Sequence, residues 1–406
     1  MTNRPHYLLR LERYRDTGLV KVLTGMRRTG KSAILRSYRD QLMEEGIAPE
    51  RIVSLNLEIA DHAELRDASK LLAYVRERGD REQTTYVFVD EAQEVAGIGQ
   101  VVYTLAEDGR YDLYLTGSHT RLIERELLDV MAGRYVEIPV FSLSFLEYLS
   151  LANGGQRAGA NGQHANRRQL FNQYLQCGGL PSAAALASNR YALFEYLDGV
   201  YHTVLRRDVA ASLGKEDPVL LDAIVRLLIN NLGQPVSANG ISKGLAQVGH
   251  QCSDDTVARY LDALVDAHAF YRVRRFDLKA KTLLKTQERY YLADLGFRNL
   301  ALGAQQAPLV GLLENVVYLE LRRRHGEVHV GKHYARHICF VTHDAEGTAY
   351  YQVATSVLDP SELERALAPL RAERDNYPKT LLTLDEVGVT SHEGIAQRNI
   401  VDWLVG

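Results

Sequence analysis

Short runs of β-branched and aromatic residues alternate with longer stretches of helical periodicity through the first 150 or so positions. The runs are 19–24 (LVKVLT), 52–57 (IVSLNL), 85–90 (TYVFVD), 111–116 (YDLYLT) and 134–138 (RYVEI), each five or six residues and mostly apolar on both faces. Strands of that kind lie between two helix layers, so the pattern predicts an α/β domain built on a parallel sheet over 1–150. Residues 151–167 (LANGGQRAGANGQHANR) have no apolar period and read as a loop or linker. Helical periodicity resumes at 168 and runs to 230, interrupted at 177–182 by CGGLPS, whose glycines and proline punctuate a turn between helices. A small helical subdomain over 168–215 follows.

Further on, SANGISKGLAQ and SDDTVARYLDALVDA read as two helices joined by a turn, with Ser253 as the cap of the second, and AFYRVRRFDL is strand-like. Helix, helix, strand in that order resembles a winged helix, placed at 216–300. The remaining residues, 301–406, combine a helix containing GLLENVVYLELRRR (311–324) with strands near 327–331, 337–342 and 349–354, which is a second, smaller α/β unit.

A chain of 406 residues exceeds what one hydrophobic core supports, so several domains are expected. Composition fits a folded protein, with 46% hydrophobic and 24% charged residues. The formal net charge of -3 supplies no global positive field for nucleic acid or an anionic membrane, so any such contact must be local. Cys177, Cys252 and Cys339 are far apart and lack metal-ligand spacing, which argues against disulfides and zinc. The amino terminus has charges throughout, and nowhere do 18 apolar residues run together, which predicts a cytoplasmic protein without a membrane partner.

Candidate chemistry concentrates where the strands end. Residues 25–32 read GMRRTGKS, matching G-x-x-x-x-G-K-[ST] between a strand and a helix. Gly25 and Gly30 allow the backbone to curl so that successive N–H groups and the helix N-terminus face one anion. Gly25, Met26, Arg27, Arg28, Thr29, Gly30, Lys31, Ser32 and Ala33 are therefore the candidate ATP-binding residues, with Lys31 on the β and γ phosphates and Ser32 on Mg²⁺. The apolar strand 85–90 delivers Asp90 and Glu91 to its C-terminal end, the edge at which α/β sheets bind ligands. Asp90 is placed to hold Mg²⁺ through water and Glu91 to act as general base. Ser118 follows the next strand as a candidate sensor of the γ-phosphate. Arg134 is a candidate for stabilising phosphate charge, from the same or a neighbouring subunit.

GMRRTGKSAIL, VFVDEAQEV, LTGSHTRLI, AGRYVEIPVFSLSFLEYL, CGGLPS, YYLADLGFRN and GLLENVVYLEL together resemble a family of prokaryotic AAA-type P-loop ATPases with a C-terminal domain of unknown function. The resemblance spans nearly the full length. It implies an ATPase domain joined to a winged helix and a restriction-endonuclease-like fold, with Lys31, Ser32, Asp90, Glu91 and Ser118 at the family's nucleotide-site positions. Glu314 matches the first metal-binding position of such nucleases, but Cys339 stands where an Asp is needed and Ala354 where a Lys is needed, with Gln352 retained. That departure implies the fold without the nuclease chemistry. The leading expectation is an ATPase switch that repositions its C-terminal domains, with protein partners or self-association. The alternative is a DNA-binding regulator in which ATP is mainly structural, resting on Arg272, Arg274, Arg275, Lys279, Lys281 and Lys285; a nuclease comes third.

Overall fold

In a computed structural model of the chain, residues 4–119, 127, 130–152, 164–214, 217–302, 308–333, 336–345, 347–386 and 390–406 are described. The chain divides into two compact units, one taking in residues up to Phe141 with Asp266–His268, the other Ser142–Val265 and Ala269–Gly406.

In the first unit the five apolar runs are the strands β1 (Val20–Thr24), β2 (Ile52–Asn56), β3 (Thr85–Asp90), β4 (Tyr111–Gly117) and β5 (Tyr135–Pro139). They form one parallel sheet in the order β2-β3-β4-β1-β5. Successive side chains of a strand point to opposite faces, and here both faces are buried. Val20, Val22, Val87, Val89, Leu113 and Leu115 pack with Leu71 and Val75 of α3 (Ala68–Arg78) and with Val101 and Leu105 of α4 (Ile98–Asp108). Leu23, Tyr86, Phe88 and Tyr114 pack on the other face with Leu11 of α1 (Pro5–Arg13) and Ile34, Leu35 and Tyr38 of α2 (Lys31–Glu44). Lys21 is the exception on that face: it is buried, paired with Asp112 and seated over the Tyr114 ring. Because every strand runs the same way, Thr24, Asn56, Asp90, Gly117 and Pro139 all finish at one edge, and the register sets Thr24 beside Gly117 and Asn56 beside Asp90.

The second unit opens with helices. These are α5 (Phe145–Ala152), α6 (His164–Cys177), α7 (Pro181–Ala185) and α8 (Arg190–Thr203), the last running through a π-helical stretch, Val204–Val209, into α9 (Ala210–Leu213). Helix α6 begins inside the expected linker 151–167, of which 153–163 lie outside the described residues. Helices α10 (Pro218–Asn230), α11 (Ala238–Gln247) and α12 (Asp254–Asp266) precede a hairpin of β6 (Phe270–Asp277) and β7 (Thr282–Leu292). Ser253 caps α12 as its sequence position suggests, accepting from the Thr256 N–H at 3.1 Å.

Beyond α13 (Gly296–Leu302) and α14 (Leu309–Arg324), strands β8 (Glu327–His333), β9 (Arg336–Asp344) and β10 (Gly347–Val353) follow. Helix α15 (Pro360–Ala372), β11 (Lys379–Thr383), β12 (Thr390–His392), β13 (Ile395–Asn399) and α16 (Ile400–Val405) end the chain. All eight strands make one sheet, β12-β13-β11-β10-β9-β8-β6-β7. The expected boundary at residue 300 therefore runs through a sheet, because β6 finds a parallel partner in β8 and an unpaired edge is covered. The expected end of the first domain, residue 150, likewise moves back to Phe141, as α5 belongs to the second unit. Among the described residues no helix is long and apolar enough to cross a membrane.

The CGGLPS turn and the ADLGF segment meet in the second unit at Asp294. Its fully buried carboxylate accepts from the backbone N–H of Gly179 at 2.8 Å and of Gly296 at 2.9 Å. Gly178 sits at φ +76°, and a Cβ there would lie 1.8 Å from Asp294 Oδ1. The CGGLPS turn thus needs its first glycine to admit the carboxylate of ADLGF. Burial pushes the Asp294 carboxyl up to about 6 despite these donors.

Candidate functional site

The loop between β1 and α2 wraps back on itself at the sheet edge. Gly25 has φ +141°, and a Cβ there would come 2.2 Å from the carbonyl oxygen of Val140, so only glycine lets the loop leave β1 this close to the strand beside it. Gly30, at φ +101°, starts α2. Among the described residues no side chain caps that helix, and its first turn carries no acidic residue, so its leading N–H groups and positive end suit an anion. Lys31 is buried with Nζ donating to the loop carbonyls of Gly25 at 2.8 Å and Met26 at 3.1 Å. Thr29 Oγ1 donates to Met26 O at 2.9 Å, and Arg4 from the start of the chain donates to Thr29 O at 3.0 Å. Met26 and Thr29 are thereby part of the loop's frame. Arg27 is also buried and pairs with Glu58 at 2.5 Å, while Arg28 is exposed in a left-handed backbone conformation. Ala33 lies in the first turn of α2, half-buried.

The carboxylates come from β3. Ser32 Oγ donates to Asp90 Oδ1 at 2.9 Å, and Thr116 Oγ1 of the neighbouring β4 donates to the same oxygen at 2.6 Å. Thr116 Oγ1 in turn accepts the backbone N–H of Glu91 at 2.8 Å. One hydroxyl thus ties both acidic residues to β4. Glu91 leaves the strand at φ +56°. Its Oε2 accepts from Ser118 Oγ at 3.1 Å and from Gln93 Nε2, which also donates to Ser118 Oγ at 3.1 Å. Burial pushes the Asp90 carboxyl upward, against the hydrogen bonds from Thr116 and Ser32. Burial acts on Glu91 in the same sense, but the positive charges of Lys31 and Arg27, with the bonds from Gln93 and Ser118, prevail and hold it below the usual carboxylate range.

Lys31, Ser32, Asp90, Glu91 and Ser118 are therefore brought to one edge. Arg134 is not. It precedes β5 at the opposite end of the sheet, where its carbonyl accepts the N–H of Val20, and its exposed side chain pairs with Glu107. Four residues of β1 intervene, roughly 16 Å of strand, so the expectation that Arg134 reaches phosphate within its own chain does not hold. Thr116, Gln93, Glu58 and Arg4 are contributors that pattern reading missed. Thr116 had a signal, as the polar last residue of an otherwise apolar run beside the strand of Asp90.

The oxygens of Ser32 and Asp90 are hard donors at hydrogen-bond distance from each other, a set suited to Mg²⁺ shared with phosphate oxygens and water.

A second carboxylate cluster occupies the other unit. Glu314 of α14 is buried and pairs with Arg289 of β7 at 3.0 Å, accepts from Tyr291 OH at 3.0 Å and meets Cys339 Sγ at 3.5 Å. Gln352 of β10 accepts the Cys339 N–H at 3.1 Å. Among the described residues, no group of three or more His, Cys, Asp or Glu is placed to hold a metal ion.

Comparison with known proteins agrees with the geometry. A family model described as an AAA domain matches residues 17–149. An uncharacterized protein of Haemophilus influenzae is 33% identical over 406 residues, covering 100% of this chain and 99% of its own. The chain belongs to one family with that protein. The uncharacterized protein MJ1544 of Methanocaldococcus jannaschii is 26% identical over 315 residues, 75% of this chain and 67% of its own. The Walker-type ATPase PABY2304 of Pyrococcus abyssi superposes with a TM-score of 0.51 at 16% identity, covering 74% of this chain and 96% of that one, a likeness of fold. A domain of unknown function (DUF8612) matches residues 168–307, from within α6 to beyond α13, and so takes in the β6–β7 hairpin and ends before α14.

Proposed function

We propose that the chain is a Mg²⁺-dependent ATPase that uses hydrolysis as a conformational switch to reposition its C-terminal region. The observation that carries this reading is the convergence of Lys31, Ser32, Asp90 and Glu91 at one sheet edge, beside an uncapped helix N-terminus. The loop N–H groups hold the phosphates, and Lys31 exchanges its bonds to the Gly25 and Met26 carbonyls for phosphate oxygens. Ser32 and Asp90 hold the metal, which when bound neutralises charge on the phosphate oxygens. Glu91, kept ionised by Lys31 and Arg27, takes a proton from the attacking water. The water oxygen bonds to the γ-phosphorus as the bond to the β–γ bridging oxygen breaks, its electron pair leaving on ADP. Ser118 touches the base and so links it to the end of β4.

The alternative, a winged-helix DNA reader, draws on the helices α10–α12 and the hairpin that follows them. Of its six basic residues, Arg272 pairs with Asp262 and Glu288, Arg274 faces Glu288 at 3.7 Å, and Arg275 is buried. That favours the ATPase switch with a protein partner or a second copy over DNA. The Glu314 cluster, with Arg289 in place of a free cation site, supports a terminal region that binds or assembles without cutting nucleic acid.

The test is Mg²⁺-dependent ATP turnover of the full chain beside Lys31→Ala and Glu91→Gln, with and without duplex DNA at two salt concentrations. Wild type is expected to hydrolyse ATP, and each variant to lose about 10²- to 10³-fold in turnover. A wild type that neither binds nor hydrolyses ATP overturns the reading. Stimulation by DNA that fades with salt would instead favour the alternative.

A further inference from the structure

Two costly features stand two residues apart beside the general base. Glu91 holds a left-handed backbone conformation, φ +56°, which is strained for a residue other than glycine. Gln93 has its side-chain oxygen buried with no donor among the described residues, which forfeits the hydration of that oxygen without replacing it. The stranded oxygen has a cause. An ionised carboxylate accepts hydrogen bonds only, so the Gln93 amide must turn its NH₂ toward Glu91, and that choice is what strands its oxygen. The same NH₂ bonds Ser118 Oγ at 3.1 Å, and Ser118 bonds Glu91 at 3.1 Å, closing a three-membered network. Both donors land on Glu91 Oε2. Oε1 takes no hydrogen bond from the described residues.

We propose that Gln93 is a positioning residue for hydrolysis, clamping Glu91 through Oε2 so that Oε1 is the oxygen left to take the proton of the attacking water. The inference rests on the ATPase reading. In the step concerned, the water oxygen bonds to the γ-phosphorus, the bridging P–O bond breaks with its electrons on ADP, and the proton passes to Glu91 Oε1. Gln93 touches neither phosphate nor water. It acts by denying Glu91 its other rotamers, and the stranded amide oxygen is the stability given up for that restraint.

Steady-state Mg²⁺–ATP turnover and thermal melting of the full chain, wild type against Gln93→Ala, test this. The expected result is a fall in kcat of about 10- to 100-fold with KM within about twofold, and a Tm equal to or above that of wild type because the stranded acceptor is gone. Gln93→Met, which keeps the volume without donor or acceptor, is expected to behave alike and carries the test if the alanine variant does not fold. Adding Ser118→Ala to Gln93→Ala is expected to cost less than the product of the two single losses, since both act on one oxygen. Unchanged kcat in a wild type that turns over, or a rise in KM that follows a loss of Tm, overturns the role of Gln93 and leaves the ATPase reading standing. A wild type without ATP binding or turnover ends both.

Discussion

Asp90 and Glu91 in the first unit and Glu314 in the second are all buried carboxylates at the ends or sides of a sheet, yet they are stabilised by different means. Asp90 and Glu91 receive hydrogen bonds from neutral groups, Ser32, Thr116, Ser118 and Gln93, and the nearest cation, Lys31, is bonded to loop carbonyls. Glu314 instead has its own cation, Arg289, at 3.0 Å, with Tyr291 on the same oxygen. Neutral donors orient a carboxylate without neutralising it, so its charge remains available to a metal or a proton. An internal guanidinium does neutralise it and leaves nothing for a ligand to do. The identity of the partner, more than the presence of acidic residues, is what distinguishes the two clusters.

The strongest way to break that contrast is to remove the cation from each cluster. Arg289→Ala leaves Glu314 buried and uncompensated and is expected to cost about 3–5 kcal/mol of stability, read as a lowered denaturation midpoint. Burial already pushes the Glu314 carboxyl upward, so adding Glu314→Gln should recover part of the loss. Lys31→Ala is expected to abolish tight ATP binding while changing the midpoint far less, because no carboxylate depends on it for direct pairing. Equal destabilisation by the two changes would show that the first site is as self-contained as the second.

Asp294 sharpens the comparison, being buried with neutral backbone donors and no cation among those bonds. Its carboxyl is pushed up to about 6, against an unfolded value near 3.9, so the folded chain holds the proton more tightly. The sign follows: its contribution to stability is fully present below about pH 4 and is lost as pH rises through about 6. Urea midpoints measured from pH 4.5 to 7 should therefore show a steeper fall for wild type than for Asp294→Asn, by up to about 2–3 kcal/mol. Parallel curves would mean that neutral donors alone keep Asp294 ionised.

These contrasts also mark what could be read from the chain in advance. The five strands of the first unit were legible within a residue or two because each is apolar on both faces and short, and the glycine loop sits in the gap that such a strand and helix define. Asp90 and Glu91 were legible because an apolar strand ending in two acids has one place to put them. Gln93 and Arg289 were not, since what they do depends on which strand lies next to which. The register that puts β6 beside β8, and so joins two expected domains in one sheet, is likewise a long-range pairing that leaves no local pattern. Strands β11 to β13 carried too few alternating apolar positions to stand out, as KTLLT and IAQRN illustrate.

Arg134 gives the smallest expected effect and bears on whether a further cation reaches the first site from elsewhere. In its own chain it pairs with Glu107 at the far end of the sheet, and both side chains are about half exposed. Exposed pairs of this kind are worth about 0–1 kcal/mol, so Arg134→Ala should leave the melting temperature nearly unmoved. Turnover per molecule in dilute protein should also stay within about twofold of wild type, because among the described residues the Arg134 side chain pairs with Glu107 at the opposite end of the sheet. A neighbouring copy is a different matter, since an exposed guanidinium at the base of one sheet is free to meet the phosphate edge of another. If wild-type turnover rises with protein concentration and Arg134→Ala removes that rise, the charge that Arg289 supplies internally in the second unit is supplied to the first by another subunit. If turnover is independent of concentration in both, the first site works with the cations of its own chain, Lys31 and Arg27, and its metal.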